Sequence, residues 1–282
     1  MAPARGSSYT GGGKAYGRQV VELRSLGLRS DLAMINGEIL DRGEYLAVRS
    51  PLEPTFYWGN LLVFAKPPQD GDLQRWEALF AAEFKDLPEV SHRTFVWDKA
   101  DSPGVVADFA EAGYRVEHSV VLTAQNLVLP KHPNTEVEIR ALETERDWQD
   151  LLDLKVVCRD EGHKEDHFRG YAEGRLRGYR KRIDAGIGEW YSAFVGEQQV
   201  ASLGMFRSDR AGRFQIVITH PAFRRRGICG TLVHHVARQT LDRSDIDSLV
   251  MLADTEYHAA RIYESLGFSA SEKLTGLCRW PT

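Results

Sequence analysis

One stretch of the sequence, residues 214–232, combines features that together require a strand, a tight loop and a helix. It reads FQIVITHPAFRRRGICGTL. Its apolar, β-branched start is typical of a buried strand, which Pro221 ends. Three arginines follow, and Gly227 and Gly230 then open an apolar segment with helical spacing. Glycines let a backbone approach a ligand closely, and the first N–H groups of a helix attract anions. The stretch therefore predicts a site for a diphosphate.

Composition limits the class of protein. The chain has 282 residues, a formal net charge of -4 and 43% hydrophobic residues. This length favours one large domain or two smaller ones, and the charge argues against the basic face that binds nucleic acid or anionic membranes. Cys158, Cys229 and Cys278 are far apart, which argues against a zinc motif or disulfide framework and predicts a cytoplasmic location. No apolar run reaches the roughly 20 residues of a membrane span.

The chain divides at a polar, Pro-containing link, residues 131–136. Before it, residues 1–17 are rich in Gly and Ser and are expected to form a disordered tail, and a short helix capped by Ser30 is expected next. After it, the periodicity predicts the order β-α-α-β-β-β-α-β-α-β plus one final strand. We therefore expect an α+β fold, a mixed sheet flanked by helices, in two tandem lobes at 18–130 and 135–282.

The two lobes look like repeats of one another. Three pairs of matching residues are each separated by 154 positions: Pro67 and Pro221, Phe109 and Tyr263, and Gly113 and Gly267. Where the second lobe has its arginines, the first has Asp70, Gly71 and Asp72, and these carboxylates repel a diphosphate. The phenyl ring of Phe109 has no proton to donate. The first lobe is therefore predicted to be a non-catalytic partner that covers a sheet edge.

Two segments about 30 residues apart resemble the signature of a known family. THPAFRRRGICG, residues 219–230, is similar to V-x-P-x-[YF]-R-x-x-G-x-[GA], and AARIYESLGF, residues 259–268, is similar to A-x-x-[LI]-Y-x-x-[LH]-G-F. Both patterns belong to the GNAT superfamily of acyl-CoA-dependent N-acyltransferases. The chain therefore resembles this superfamily, most clearly over residues 135–282, and the resemblance implies a GNAT-like acyltransferase fold.

The resemblance also implies which residues would bind acetyl-CoA. The strand backbone at Val217, Ile218 and Thr219 would pair with the pantetheine arm, and the loop would wrap the diphosphate. The implied loop residues are Arg224, Arg225, Arg226, Gly227, Ile228, Cys229, Gly230 and Thr231. No metal is implied. The positive charge around Cys229 predicts a lowered pKa for its thiol, and the alternative for the arginines is a solvated surface.

Catalytic roles follow from the same resemblance. Tyr263 is implied as the general acid that protonates the departing thiolate of CoA, and its alternative is a core aromatic. Asp254 and Glu256, at the end of the preceding strand, are candidates for the general base, although Asp254 is equally suited to cap a helix. A strand N–H near Ile218 or Thr219 would meet the oxyanion.

These expectations lead to a cytoplasmic N-acetyltransferase that moves the acetyl group of acetyl-CoA directly to a primary amine of a small molecule or peptide. The alternative is a non-catalytic acyl-CoA-binding regulatory or scaffold protein, because Cys229 and Tyr257 depart from the family pattern. Thr219 also departs from that pattern. Another acyl group or a non-amine acceptor is also open. The chain is expected to act as a monomer with an internal pseudo-dimer, or as a homodimer.

Overall fold

A computed structural model of the chain describes residues 23–160, 162, 164–254 and 259–280. The tail expected at residues 1–17 lies outside these residues, as do Glu256 and Tyr257. The helices are α1 (Leu26–Leu32), α2 (Asp72–Glu83), α3 (Ala107–Glu111), α4 (Glu145–Val157), α5 (Glu165–Asp184), α6 (Ile228–Leu241) and α7 (Ala259–Ser265). The strands are β1 (Glu38–Asp41), β2 (Tyr45–Arg49), β3 (Leu61–Phe64), β4 (Arg93–Trp97), β5 (Arg115–Ala124), β6 (Glu138–Ala141), β7 (Gly188–Val195), β8 (Gln198–Ser208), β9 (Ala211–Thr219), β10 (Ser248–Asp254) and β11 (Ser269–Arg279). None of the described helices is long and apolar enough to cross a membrane.

The described strands form one continuous mixed sheet. Its order is β1-β2-β3-β4-β11-β5-β10-β9-β8-β7-β6, with parallel pairing at β3–β4 and β9–β10. Leu232 and Val236 of α6 share a core cluster with Phe214 of β9, whereas Leu151 of α4 and Trp190 of β7 belong to another. Helices thus cover the sheet, and the predicted class, a mixed sheet flanked by helices, is confirmed.

Two central strands join the halves of the chain. β5 precedes the link but lies between β11 and β10, where Ala124 is opposite Leu249. β11, which follows α7, lies between β4 and β5, where Leu277 is opposite Phe95. Each half therefore receives a strand from the other. The final strand predicted beyond β11 is absent from the described residues, and β5 takes the place next to β10 and β11 instead.

The start of α1 differs from the prediction. Ser25 is the N-cap, and Ser30 lies inside the helix, where its hydroxyl donates to the Gly27 carbonyl at 2.8 Å. The reason is tertiary: the Glu272 carboxylate of β11 accepts from the N–H groups of Leu26 at 2.9 Å and Gly27 at 3.1 Å. A carboxylate at a helix N-terminus satisfies donors that the helix leaves unpaired, so the helix begins there.

Glycines stand at equivalent helix ends in the two halves. Gly71 (φ 83°) precedes α2, and Gly227 (φ 75°) precedes α6. Gly113 (φ 85°) follows α3, and Gly267 (φ 98°) follows α7. All four backbones are left-handed, a conformation that glycine adopts without steric cost. The chain therefore enters and leaves these paired helices with the same geometry.

Candidate functional site

The strand β9 separates from β10 along its length. Ala211, Gly212 and Arg213 pair with the start of β10, and no further ladder pair joins the two strands among the described residues. β10 continues beside β5 as far as Asp254. The sheet therefore opens between β9 and β10 into a wedge that a ligand can enter.

A β-bulge produces this opening. The register of β8 and β9 shifts between Ser202 and Gly204, and Ile216 in the facing part of β9 has φ 46°. A left-handed β-branched residue is rare and is held in place only by its surroundings. Beyond the bulge, Ile218 and Thr219 pair with β8 on one side only. Their backbone is thus available toward the wedge.

The loop after β9 ends at an open helix N-terminus. Pro221–Phe223 form one 3-10 turn, and Gly227 is the N-cap of α6. α6 has no acidic residue in its first turn and no hydrogen bond from a capping side chain. Its first N–H groups therefore point toward the loop without a side-chain acceptor from the cap, which is the arrangement that binds phosphates.

The three arginines of the loop have different partners. The Arg224 Nε donates to the Thr219 carbonyl at 3.2 Å. Arg226 forms an ion pair with Glu136 at 2.8 Å. Arg225, which is exposed and has φ 61°, forms no ion pair within the described part of the chain. Arg225 is consequently the loop cation best placed to meet an external anion.

A cleft of about 1150 Å³ lies beside this loop. Its lining includes Val217, Ile218, Thr219, Arg224, Arg225, Arg226, Gly227, Ile228, Cys229, Gly230 and Tyr263. Thr231 is not part of the lining, because its hydroxyl donates to the Gly227 carbonyl at 3.0 Å and accepts from the Asn134 N–H at 2.8 Å. The structure thus brings all the predicted binding residues except Thr231 to one surface.

Tyr263 stands where this cleft meets a second pocket. The second pocket has a volume of about 340 Å³ and lies between β9 and β10. Val217 and Tyr263 line both cavities. Tyr263 is 5% exposed and packs edge-on against Phe268, with ring centroids 6.3 Å apart. A ligand in the cleft and another in the second pocket would therefore both lie beside Tyr263.

Comparisons with known proteins bear on the fold that carries this site. Residues 191–275, less than a third of the chain, match the family model described as FR47-like protein. A GCN5-related N-acetyltransferase from Kribbella flavida has a TM-score of 0.62 at 13% identity, covering 92% of this chain and 97% of that one. A functionally unknown conserved protein from Staphylococcus epidermidis has a TM-score of 0.72 at 14% identity, covering 88% and 96%. The sequence matches no curated protein significantly.

A third structure, a GCN5-related N-acetyltransferase from Sphaerobacter thermophilus, has a TM-score of 0.54 at 14% identity, covering 83% of this chain and 75% of that one. The chain has the GNAT fold. The resemblance found in the sequence is thereby confirmed. At sequence identities this low, the structural similarity establishes the GNAT fold but not the reaction.

Of the two candidate bases in this GNAT fold, only Asp254 is described. Asp254 is exposed at the end of β10 and lines the second pocket. Glu256 lies outside the described residues. The described residues gather no group of three metal-ligating side chains.

A buried polar chain reaches the second pocket from the N-terminal half. The Gln215 side-chain Oε1 accepts from the Tyr179 hydroxyl at 3.0 Å, and that hydroxyl accepts from the Arg175 guanidinium at 3.0 Å. Arg175 in turn forms an ion pair with Glu53 at 2.7 Å and lies 3.5 Å above the Phe56 ring. No sequence pattern predicted this chain of hydrogen-bonded side chains, because its members come from segments that only the fold brings together.

The corresponding region of the N-terminal half is closed. β3 and β4 pair up to Phe64 and Trp97, and the Asp98 N–H extends the pairing by donating to the Phe64 carbonyl at 2.8 Å. The Asp72 carboxylate already accepts from the Gln69 N–H at 2.8 Å at the start of α2. This half therefore has neither the wedge nor the open, basic helix terminus.

The prediction that the pKa of the Cys229 thiol is lowered is wrong. Burial raises the pKa of its thiol to about 11, and a hydrogen bond with Thr219 only partly opposes this. The arginines of the loop point to solvent, whereas Cys229 packs against the apolar core beside α6. Desolvation disfavours the thiolate more than the exposed charges favour it, so Cys229 is a packing residue.

Proposed function

We propose that the chain is an N-acetyltransferase that moves the acetyl group of acetyl-CoA to a primary amine of a small molecule or peptide. The observation that carries this proposal is the position of Tyr263. It lies where the basic cleft joins the pocket between β9 and β10. A thioester from one side and an amine from the other would meet there. A cytoplasmic location and a monomer, or a homodimer, belong to the same proposal.

The residues of the site fit acetyl-CoA. The diphosphate would accept from the first N–H groups of α6 and pair with Arg225, and the pantetheine arm would lie along β9 at Val217, Ile218 and Thr219. The opened edge of β9 supports this, because its backbone at Ile218 and Thr219 pairs only with β8.

The reaction needs two proton transfers. The amine nitrogen forms a bond to the thioester carbonyl carbon, while a strand N–H near Ile218 or Thr219 stabilises the oxyanion. The carbon–sulfur bond then breaks, and the Tyr263 hydroxyl protonates the thiolate. Asp254, or Glu256, takes the proton that the amine loses. Transfer is direct, with no acyl-enzyme.

One site per chain follows from the contrast between the halves, which we propose are tandem lobes at 18–130 and 135–282. The first lobe pairs β3 with β4 where the second opens, and it has Phe109 where the second has Tyr263. A groove of about 750 Å³ at the ends of β3 and β4 is lined by equal numbers of acidic and basic side chains, namely Asp41, Glu44, Asp98, Arg24, Lys66 and Lys99. A diphosphate would therefore gain little electrostatic attraction in this groove.

The test is acetyl-CoA consumption with a panel of primary amines, combined with calorimetric titration of CoA. We expect one equivalent of CoA per chain and turnover that Tyr263→Phe reduces at least about a hundredfold with CoA affinity retained. Tyr114→Phe removes another buried tyrosine, which donates to Glu77, and is the matched control that keeps turnover. Wild-type rates from Tyr263→Phe refute the assignment of the acid. CoA binding without turnover across the panel favours the acyl-CoA-binding scaffold instead.

A further inference from the structure

The link between the halves forms a second wall of the cleft. Pro130 and the link residues 131–136 line it together with the arginine loop. The Asn134 N–H donates to the Thr231 hydroxyl at 2.8 Å, and its side-chain amide donates to the Arg226 carbonyl at 2.9 Å. Gly227 lies so close that a Cβ there would be 2.2 Å from the His132 carbonyl oxygen. The link is thus held directly against the N-terminus of α6.

This wall carries a positive charge that has no counter-ion among the described residues. Lys131 lines the cleft, is exposed, and forms no ion pair with any described residue. Glu136 alone is acidic among the described residues of the lining, and it is already paired with Arg226. Lys131 therefore adds to the cleft a cation that comes from the link and not from the arginine loop.

The cleft has room beyond the diphosphate position. On the side of α7 it is lined by Ile262, Ser265 and Leu266, and Ile262 is 37% exposed. A cleft that offers both an apolar surface and a cation outside the arginine loop suits a purine nucleoside that carries its own phosphate. CoA has such an end, because its ribose bears a 3′-phosphate that is separate from the diphosphate.

We propose that Lys131 binds the ribose 3′-phosphate of CoA and so makes the site selective for CoA over 3′-dephospho-CoA. The assignment rests on the proposed function. The arginines are less suited to this role, because Arg224 is held by the Thr219 carbonyl and Arg226 by Glu136. The connection between the halves is then a part of the cofactor site as well as a link.

The test measures the Kd of CoA and of 3′-dephospho-CoA by calorimetry at low salt. Wild-type protein should bind CoA about five- to tenfold more tightly than dephospho-CoA. Lys131→Gln should remove this difference by weakening CoA alone, and Lys131→Arg should restore it. Added salt should reduce the difference in the wild type, because the lysine is exposed. Lys99→Gln, in the groove of the N-terminal half, is the matched control and should change neither constant.

Two results would overturn the inference. One is a Lys131→Gln variant that loses affinity for both ligands equally, since the lysine would then serve the diphosphate or the structure. The other is a variant that loses affinity for neither. A wild-type protein that binds neither ligand would instead refute the proposed function, and this inference with it.

Discussion

Replacing Gly227 by alanine should separate the link from the anion loop, and Gly71→Ala is its matched control. Both glycines are left-handed N-caps, of α6 and α2, with φ of 75° and 83°. An alanine Cβ at Gly71 has nothing within 4 Å, whereas at Gly227 it lies 2.2 Å from the His132 carbonyl oxygen. Backbone strain is therefore common to the two variants, and displacement of the link occurs in only one.

The structure sets the size of the difference. A left-handed alanine costs about 1 kcal/mol, and this is the whole expected loss for Gly71→Ala. Ordinary contact begins at 3.4 Å, so Gly227→Ala must move the link by about 1 Å. That shift breaks the two hydrogen bonds of Asn134, worth about 1 kcal/mol each. Gly227→Ala should thus cost about 3 kcal/mol in total.

Thermal unfolding followed by circular dichroism measures both variants. At roughly 2 to 4 °C per kcal/mol, Tm should fall by about 3 °C for Gly71→Ala and by about 9 °C for Gly227→Ala. CoA affinity should fall only in the second variant. If the two variants melt together and bind CoA alike, the link does not press on the loop and the reasoning fails.

Two further predictions concern buried charges. Glu53→Gln removes the counter-charge of Arg175, whose side chain is 7% exposed, and should lower the free energy of unfolding measured in urea by about 3 kcal/mol. Asp247→Asn, at an exposed ion pair with Arg210, is the control and should have a much smaller effect. Equal losses in the two variants would contradict a buried role for the Glu53–Arg175 pair. Asp147→Asn should cost about 2 kcal/mol at pH 7, because hydrogen bonds from Arg140 and from backbone N–H groups hold the pKa of Asp147 well below its usual range. A carboxyl whose pKa is lowered by folding stabilises the protein above its unfolded pKa of about 3.9. The difference in free energy of unfolding between wild type and Asp147→Asn should therefore shrink as the pH falls below about 4. A difference that does not change with pH would refute the assignment.

Local patterns predicted the elements of the site because their causes are local. Pro221 ends a strand, Gly227 permits a left-handed turn, and the spacing of Leu232 and Val236 orients α6 toward the core. Each of these depends on neighbours within a few residues, and each is found where the pattern places it.

The burial of side chains and their long-range partners were harder to predict from the sequence. The sequence pattern predicts Ser30 as the cap of α1, but Glu272, more than 200 positions away, sets the start of that helix. The thiol pKa of Cys229 was predicted from adjacent arginines, although those side chains face solvent and the thiol faces the core. Neighbours in the sequence show which charged residues are near a titratable group, whereas the orientation of the side chains decides which charges affect its pKa.

The sequence by itself determined the strand, loop and helix of residues 214–232, the matching glycines of the two halves and the place of Tyr263 on α7. Only the tertiary structure decided that β5 and β11 lie together at the centre of one sheet and that the link forms one wall of the cleft. It also decided that Glu53 is connected to Gln215 through the side chains of Arg175 and Tyr179. The physical reason is that an alternating apolar pattern specifies which face of a strand is buried but not which strand lies beside it. That choice depends on contacts between residues far apart in the chain.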